Sequence, residues 1–348
     1  MTDDFGNVIE LSVEPNGHSL FLGQTGQGKT YALCRLSENY YEKRKKMLIL
    51  DYSGSFTESE LDEKRFKYIK EVKRVNVAKE RFEWNVRVQN EQDVAADIAD
   101  AMLGVMKCEA YPQRTLLHRM IRVIMDETGY VNIPDVIRRL ESELCSEQEN
   151  ESLHGNIDAL GRLLTRLGPY KRLNNIYIRQ YESTKTDDGH LIHIIDLTNL
   201  PQQYRDFMSE FLLSLLWKEV YRQELDNRCE IVILDELQHM SLDASSAVSG
   251  ILREGRKRNL SAVLSTQFTG KYNKAQIQTL QQVANIIFFK PADDEVRTFA
   301  KIIDSRNAKI WECKLSNLER GQAILKGNYI INGRQRKMPI QTPIIIRT

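Results

Sequence analysis

Short runs of consecutive apolar residues alternate with longer stretches in which apolar residues recur every three or four positions. Near the start of the chain, Ser19 to Leu22 and Met47 to Asp51 are short apolar runs with turn residues after them, which is typical of buried strands. Between them, Tyr31 to Lys43 is predicted to be a helix. A strand, a helix and a strand in close succession form a βαβ unit, so we expect a parallel sheet packed on both faces.

The middle of the chain has the spacing of helices instead. From Glu91 to about Arg166, apolar residues recur at helical intervals in four successive stretches. No linker rich in proline, glycine or serine flanks this region. We therefore predict a helical insertion over residues 90–175 within a single domain that covers residues 1–348.

Strands and helices alternate again in the last part of the chain. Three apolar runs predict buried strands: Ile231 to Leu234, Ala262 to Leu264 and Ile286 to Phe289. Earlier, Asp187-Asp188-Gly189 has the composition of a hairpin turn, so we expect the apolar stretches 176–178 and 191–195 to pair with each other. The whole pattern predicts an α/β fold with a mostly parallel central sheet.

Composition and charge narrow the range of functions. The 348 residues carry 49 Lys and Arg against 48 Asp and Glu, so any nucleic-acid contact must rest on a local patch. The five cysteines show no C-x-x-C spacing, which argues against a zinc site and favours a reducing compartment. The start of the chain lacks the pattern of a signal peptide, and no apolar stretch reaches the length of about 20 residues that a membrane span needs. We predict a cytoplasmic protein without a membrane partner.

The strongest chemical signal directly follows the first buried strand. Its residues read Gly23-Gln24-Thr25-Gly26-Gln27-Gly28-Lys29-Thr30, with Tyr31 next, and they have the spacing of a phosphate-binding loop. Glycines let successive N–H groups turn inward around a phosphate, and the following helix directs its positive end at the same anion. In this pattern Lys29 reaches the β- and γ-phosphates and the Thr30 hydroxyl binds Mg²⁺. We predict that residues 23–31 bind ATP.

A pair of acids follows the strand Ile231 to Leu234. Asp235 and Glu236 stand at the carboxyl end of a buried parallel strand, which is where such sheets bind ligands. We expect Asp235 to hold Mg²⁺ through water and Glu236 to polarise the attacking water. Because a P-loop kinase uses a second substrate as its nucleophile, Glu236 favours a hydrolase. The alternative is a strand-end carboxylate that caps the following helix.

Two further features follow the acid pair. The strand Ala262 to Leu264 leads to Gln267, which fits a sensor of the γ-phosphate or of the catalytic water. A basic helix end contains Arg256, our candidate for an arginine that acts in a neighbouring subunit's site, with Arg253 as its substitute. The alternatives are a solvated helix end with cations at its negative pole, or contact of residues 257–258 with a nucleic-acid backbone.

Taken in order, these motifs resemble the HerA/FtsK superfamily of hexameric DNA-translocating ATPases, and its HerA branch most closely. The resemblance covers most of the chain, from the phosphate-binding loop through the strand ending at Asp51 to the spacing between Arg253 and Gln267. Members of the HerA branch usually carry an N-terminal β-barrel, whereas 22 residues precede Gly23, so the resemblance is to a motor core lacking that barrel. The turn after Asp51 also lacks the His and Glu often found there.

The resemblance implies a RecA-like (ASCE) P-loop ATPase that uses ATP and Mg²⁺. It assigns phosphate binding to Lys29, metal binding to Thr30 and Asp235, catalysis to Glu236, sensing to Gln267 and the trans-acting arginine to Arg256. It also implies a homohexamer with ATP between subunits, double-stranded DNA in the channel, and a partner nuclease or other effector.

Two other functions stay open at the level of sequence. One is a regulatory ATP switch that oligomerises to control a partner effector without moving along DNA. The other is a DNA-packaging or conjugative-transfer ATPase, which shares the chemistry of the motor. An ATPase rate that does not change with duplex DNA favours the switch over either motor.

Overall fold

The chain divides into two compact units in its computed structural model. The residues described are 1–3, 5–12, 17–56, 71–87, 94–108, 110–149, 156–181, 189–222, 229–267, 270, 272–335 and 343–348. Unit 1 comprises Met1–Arg74, Gly189–Ile194 and Leu225–Thr348, and unit 2 comprises Val75–Asp188 and Ile195–Glu224. The predicted single domain with a helical insertion stays a prediction.

The secondary structure follows the predicted alternation. The strands are β1 (Thr2–Asp3), β2 (Ile9–Leu11), β3 (Ser19–Leu22), β4 (Met47–Asp51), β5 (Val72–Asn76), β6 (Phe82–Arg87), β7 (Tyr130–Val131), β8 (Ile176–Tyr181), β9 (Ile192–Asp196), β10 (Ile231–Leu234), β11 (Ser261–Thr266), β12 (Asn285–Phe289), β13 (Gln322–Gly327), β14 (Tyr329–Ile331), β15 (Arg334–Gln335) and β16 (Ile344–Arg347). The helices are α1 (Lys29–Glu42), α2 (Val94–Val105), α3 (Tyr111–Thr128), α4 (Ile133–Glu149), α5 (Ile157–Leu167), α6 (Gln202–Arg222), α7 (Ala247–Glu254), α8 (Lys274–Leu280), α9 (Val296–Asp304) and α10 (Ala308–Ser316). None of these described helices is long and apolar enough to cross a membrane.

The largest sheet has the strand order β1-β16-β13-β12-β3-β11-β10-β4-β9-β5. The five neighbours from β12 to β4 run parallel, whereas β13, β16 and β1 continue the sheet in antiparallel fashion. The prediction of an α/β fold with a mostly parallel central sheet is therefore confirmed. In this order β11 lies between β3 and β10, so the carboxyl ends of these three strands are adjacent.

The parallel strands are apolar along most of their length because both faces of the sheet are covered, and their polar residues stand at the strand ends. Every residue of β3, β4, β10 and β12 is buried. One core cluster joins five neighbouring strands to helix α1 through Phe21, Ile49, Ile233, Val263, Ile287, Ala32, Leu33 and Leu36. Full burial of a large apolar side chain contributes about 1.5–3 kcal/mol to the free energy of unfolding, so this cluster holds β3 and α1 firmly.

Unit 2 contains four successive helices, α2 to α5, followed by α6. The buried Asp97 of α2 forms ion pairs with Arg222 and Lys218 of α6. On the exposed side, Arg114 of α3 binds Asp100 at 2.7 Å. A buried carboxylate is tolerated only when it is paired, so Asp97 fixes how α2 packs on α6.

The predicted hairpin around Asp187-Asp188-Gly189 is wrong. Strand β8 pairs with β6 in parallel and with β7 in antiparallel fashion, whereas β9 belongs to the ten-stranded sheet. In the observed register, Ile176 and Ile178 face Phe82 and Trp84 across the β6–β8 pair, and all four are buried. Burial of matching apolar positions thus selected a partner distant in sequence over the neighbour across the turn. Residues 187–188 lie outside the described part of the chain.

Candidate functional site

The glycine-rich loop connects β3 to α1 and is held closely against the sheet. Gly23 has φ 148°, and a Cβ at this position would lie 2.6 Å from Cβ of Phe289, the last residue of β12. Gly28 precedes α1 with φ 108°, a conformation that L side chains rarely adopt. Both positions therefore require glycine, one because of a close approach and both because of their backbone dihedrals.

Two backbone hydrogen bonds tie the loop to strands that are distant in sequence. The Gln24 amide donates to the Lys290 carbonyl at 2.9 Å, just beyond β12. The Gly321 amide, just before β13, donates to the Gln27 carbonyl at 3.0 Å. The loop is thereby fixed from both sides before any ligand binds.

Lys29 is the first residue of α1 and folds back over the loop. Its Nζ donates to the carbonyls of Gly23 at 2.6 Å and Gln24 at 3.0 Å. Burial lowers the pKa of Lys29 to about 8, while the Glu236 carboxylate acts in the opposite direction. A desolvated ammonium held by neutral oxygens is stabilised when an anion replaces them, so this lysine can bind an anion such as phosphate.

The acid pair follows β10, as predicted, and Asp235 is buried at its carboxyl end. Burial, reinforced by the neighbouring carboxylate of Asp51, raises the pKa of Asp235 well above its ordinary value. The Tyr52 amide donates to Asp235 Oδ1 at 3.1 Å, and the Ser53 hydroxyl donates to its Oδ2. Two buried acids on adjacent strands create a local excess of negative charge that a cation would neutralise.

The carboxylate of Glu236 accepts hydrogen bonds from two glutamine amides. Gln267 Nε2, after β11, lies 3.3 and 3.4 Å from the two carboxylate oxygens of Glu236, and Gln238 Nε2 also donates to it. Gln267 Oε1 in turn accepts from Thr25 of the glycine-rich loop at 2.8 Å, and Gln238 Oε1 accepts from Thr266 at 2.9 Å. A hydrogen-bonded chain therefore connects the loop to the glutamate through Gln267.

These elements enclose one cavity of about 400 Å³. It is lined by Thr25, Gly26, Gly28, Lys29, Thr30, Tyr31, Ser53, Gly54, Ser55, Asp235, Glu236, Ser265, Gln267 and Arg320. Most of the residues predicted from sequence thus surround a single space, with hydroxyl, carboxylate and ammonium groups facing it. The volume is within the range of small-molecule sites.

The remaining predicted residues are placed differently. Gly23, Gln24 and Gln27 contribute backbone atoms to the loop. Arg256 is exposed in the 3-10 turn Gly255–Arg258 and does not line the cavity of its own chain. Arg253, its substitute, donates to the carbonyl of Ala244 at 2.7 Å. Neither arginine contributes to the cavity within one chain, so a role in a neighbouring subunit stays a prediction.

The sequence reasoning missed several residues of the cavity. Ser53 and Ser55 belong to the turn after β4, and β4 is the neighbour of β10 in the sheet. Two hydroxyls directly after a strand that ends in an acid were a usable signal for this site. Arg320 reaches the cavity from just before β13, and nothing near it in sequence indicates the contact. Gln238, which does not line the cavity but donates to Glu236, was also missed, although it stands two residues after that glutamate.

The donor set of the cavity suits a small hard cation. Among the described residues, no cluster of three or more His, Cys, Asp or Glu could hold a metal. The oxygen donors are instead the Thr30 and Ser55 hydroxyls, 3.5 Å apart, and the carboxylate of Asp235. Mg²⁺ prefers few protein oxygens together with waters and phosphate oxygens, so these residues fit that ion.

A parallel sheet with a phosphate-binding loop after β3 and an acid pair after β10 defines the class of RecA-like P-loop NTPases. The family described as "Helicase HerA, central domain" matches residues 15–216, which is more than half of the chain. The chain belongs to this family, and the resemblance inferred from the motifs is confirmed. No curated protein matches the sequence.

Solved structures show the same fold at low sequence identity. VirB4 of Thermoanaerobacter pseudethanolicus aligns with a TM-score of 0.65 and 13% identity over 97% of this chain and 95% of that chain. The plasmid coupling protein TrwB, in complex with the ATP analogue ADPNP, aligns with a TM-score of 0.66 and 15% identity over 95% of this chain and 84% of that chain. At these identities the likeness establishes the fold alone.

Proposed function

We propose that the chain is an ATP hydrolase that drives DNA translocation as a ring of the HerA/FtsK type. One observation carries the proposal: Glu236, held by two glutamine amides, lines the same cavity as Lys29 and Thr30. Such a carboxylate, next to phosphate-binding groups, suits the activation of water. TrwB structures with ADPNP and with ADP and Mg²⁺ support ATP and Mg²⁺ as the ligands.

We assign the roles of the residues from their positions in the cavity. Lys29 would exchange its two carbonyl partners for β- and γ-phosphate oxygens, and Mg²⁺ would be held by Thr30 and, through water, by Asp235. Mg²⁺, when bound, neutralises charge on the phosphate oxygens. Glu236 would orient the attacking water and accept its proton, and Gln267 fixes the carboxylate of Glu236 relative to Thr25 of the glycine-rich loop.

A substitution that removes the charge of Glu236 but keeps its shape tests the role of this residue. We expect Glu236→Gln to lower the ATPase rate by about 10²- to 10⁴-fold, because the amide cannot accept the proton of water. ATP binding, measured by calorimetry, should persist. Glu42→Gln, at the exposed far end of α1, is the matched control and should hydrolyse ATP normally. Retention of the ATPase rate in Glu236→Gln would overturn the assignment of the base.

The proposed ring makes a separate prediction about Arg256. If Arg256 acts on the nucleotide of the next subunit, Lys29→Ala and Arg256→Ala should each be inactive alone. A random mixture of the two should regain activity, because about a quarter of the shared sites then combine both intact residues. An arginine that acted within its own chain would give no recovery. The same mixing experiment with Arg253→Ala in place of Arg256→Ala tests the substitute candidate. Light scattering with ATP measures whether a hexamer forms.

The DNA part of the proposal has its own test. A motor should hydrolyse ATP faster with double-stranded DNA, and the stimulation should fall steeply with salt because Lys and Arg contact phosphates.

The second candidate is a regulatory ATP switch that controls a nuclease or other effector, favoured by the near balance of 49 basic and 48 acidic residues. An ATPase rate that does not respond to duplex DNA favours the switch. A DNA-packaging or conjugative-transfer ATPase would use the same ATP hydrolysis chemistry, so this test does not separate it from the motor. The cytoplasmic location stays a prediction.

A further inference from the structure

A chain of hydroxyl groups joins the glycine-rich loop to Asp235. The Ser55 hydroxyl lies 3.5 Å from that of Thr30 and 2.7 Å from that of Ser53. The Ser53 hydroxyl donates to Oδ2 of Asp235. The two residues expected to hold Mg²⁺ are thus linked by two serines that the sequence reasoning assigned no role.

The turn that carries these serines is rigidly built. The buried carboxylate of Asp51 accepts the Gly54 amide at 2.9 Å and the Phe56 amide at 3.0 Å. Gly54 has φ 87°, which favours glycine, and Phe56 is fully buried. Because both ends of the turn are anchored, Ser53 and Ser55 line the cavity without any movement of the loop.

The spacing of the hydroxyls matches a shared cation better than a hydrogen bond. Adjacent ligands of an octahedral magnesium ion lie about 3.0 Å apart, given metal–oxygen distances of about 2.1 Å. The Thr30 and Ser55 oxygens, at 3.5 Å, are at the outer limit of a hydrogen bond and need to approach by only about half an ångström to act as adjacent ligands. Ser53, in contrast, already uses its hydrogen on Asp235 and is placed to orient that carboxylate.

We propose that Ser55 is a direct Mg²⁺ ligand beside Thr30, and that Ser53 is a positioning residue that directs Asp235 toward the waters of the same ion. This inference rests on the proposed ATPase function. In this chain the turn after β4 offers neutral hydroxyl oxygens, and the buried carboxylates beside them, among the described residues, are those of Asp235 and Asp51. Mg²⁺ affinity should therefore be sensitive to single hydroxyl groups.

The test is the Mg²⁺ dependence of ADP binding, measured with a fluorescent N-methylanthraniloyl ADP. We expect Ser55→Ala to raise the Mg²⁺ concentration at half-saturation about tenfold, and Ser53→Ala about threefold, with ADP binding in excess chelator unchanged. Ser55→Thr retains the hydroxyl and should restore wild-type behaviour. Ser241→Ala removes a hydroxyl bonded to Asp243 outside the cavity and serves as the control.

A change of ligand softness separates coordination from packing. Relative to the wild type, Ser55→Cys should bind ADP more weakly with Mg²⁺ and more tightly with Cd²⁺, because a sulfur ligand prefers soft ions. A purely structural serine would show no such exchange of preference. Equal Mg²⁺ half-saturation in the wild type and Ser55→Ala would overturn this inference. A wild type whose ADP affinity ignores Mg²⁺ would instead overturn the metal site of the proposed function.

Discussion

Replacement of Gly23 by alanine tests how tightly the phosphate-binding loop is held before any ligand arrives. The added Cβ would lie 2.6 Å from Cβ of Phe289 and 3.1 Å from both its carbonyl carbon and oxygen. Ordinary contacts at a Cβ begin at 3.4 Å, so the loop and β12 must separate by about 0.8 Å. These neighbours belong to the backbone or are fixed to it, so no side-chain rotation can relieve the contact.

The expected cost has two parts. Overpacking of a rigid contact costs about 1–3 kcal/mol, and a strained backbone dihedral at φ 148° costs about 1–3 kcal/mol more. Gly26→Ala is the matched variant, because Gly26 also has positive φ, 79°, but has no atom within 4 Å of its added Cβ. It should therefore show only the dihedral cost, about 1–2 kcal/mol.

Urea denaturation without nucleotide, followed by circular dichroism, measures the difference. We expect Gly23→Ala to unfold at a clearly lower urea concentration than Gly26→Ala, with both below the wild type. Nucleotide is left out because both glycines belong to the loop that would bind it. Equal midpoints for the two variants would refute the reasoning, since they would show that the contact with Phe289 relaxes freely.

Three further predictions concern charged and polar residues that line the cavity or contact its lining. ADP affinity should fall by up to tenfold per pH unit above about pH 8, because bound phosphate favours the protonated form of Lys29, whose pKa is about 8 in the free site. Gln238→Leu should lower kcat about tenfold with KM unchanged, because Glu236 loses one of its two amide donors. Arg320→Ala should weaken ATP binding about tenfold at low salt, because the substitution removes a positively charged side chain from the lining of the cavity.

Each of these predictions has a companion variant in the same chain. Lys29→Arg keeps its charge at all accessible pH values, so whatever affinity it retains should not fall above pH 8. Thr266→Val removes the hydroxyl that orients Gln238 and should reproduce a smaller part of the kcat loss. Arg306→Ala removes an exposed arginine that does not line the cavity and should bind ATP normally. A flat pH profile, a changed KM or equal ATP affinities would contradict the respective prediction.

The local parts of the site could be predicted from sequence because their geometry is encoded within a few residues. A strand, three glycines and a lysine specify the loop, and an apolar run followed by Asp235 and Glu236 specifies the acid pair. Strand order was not encoded locally. The placement of β11 between β3 and β10, which brings Gln267 onto Glu236, depends on packing of the whole sheet.

The parts that sequence reasoning missed or misplaced share a physical cause. Ser55 approaches Thr30, and Arg320 reaches the cavity, only because the sheet brings together segments far apart in the chain. The hairpin expected near Gly189 failed for the same reason. Its turn composition was local evidence, but the partner of Ile176 was decided by burial against the distant Phe82.

The hydrogen bond from the Gly321 amide to the Gln27 carbonyl makes one amide a reporter of the loop. Gly321 stands outside the glycine-rich motif, yet its proton is shielded only while the loop keeps the observed shape. Because a ligand that binds the loop suppresses its opening, amide hydrogen exchange at Gly321 should slow when nucleotide is added, without a label on the nucleotide. A residue almost 300 positions after the glycine-rich loop can thus be used to monitor that loop.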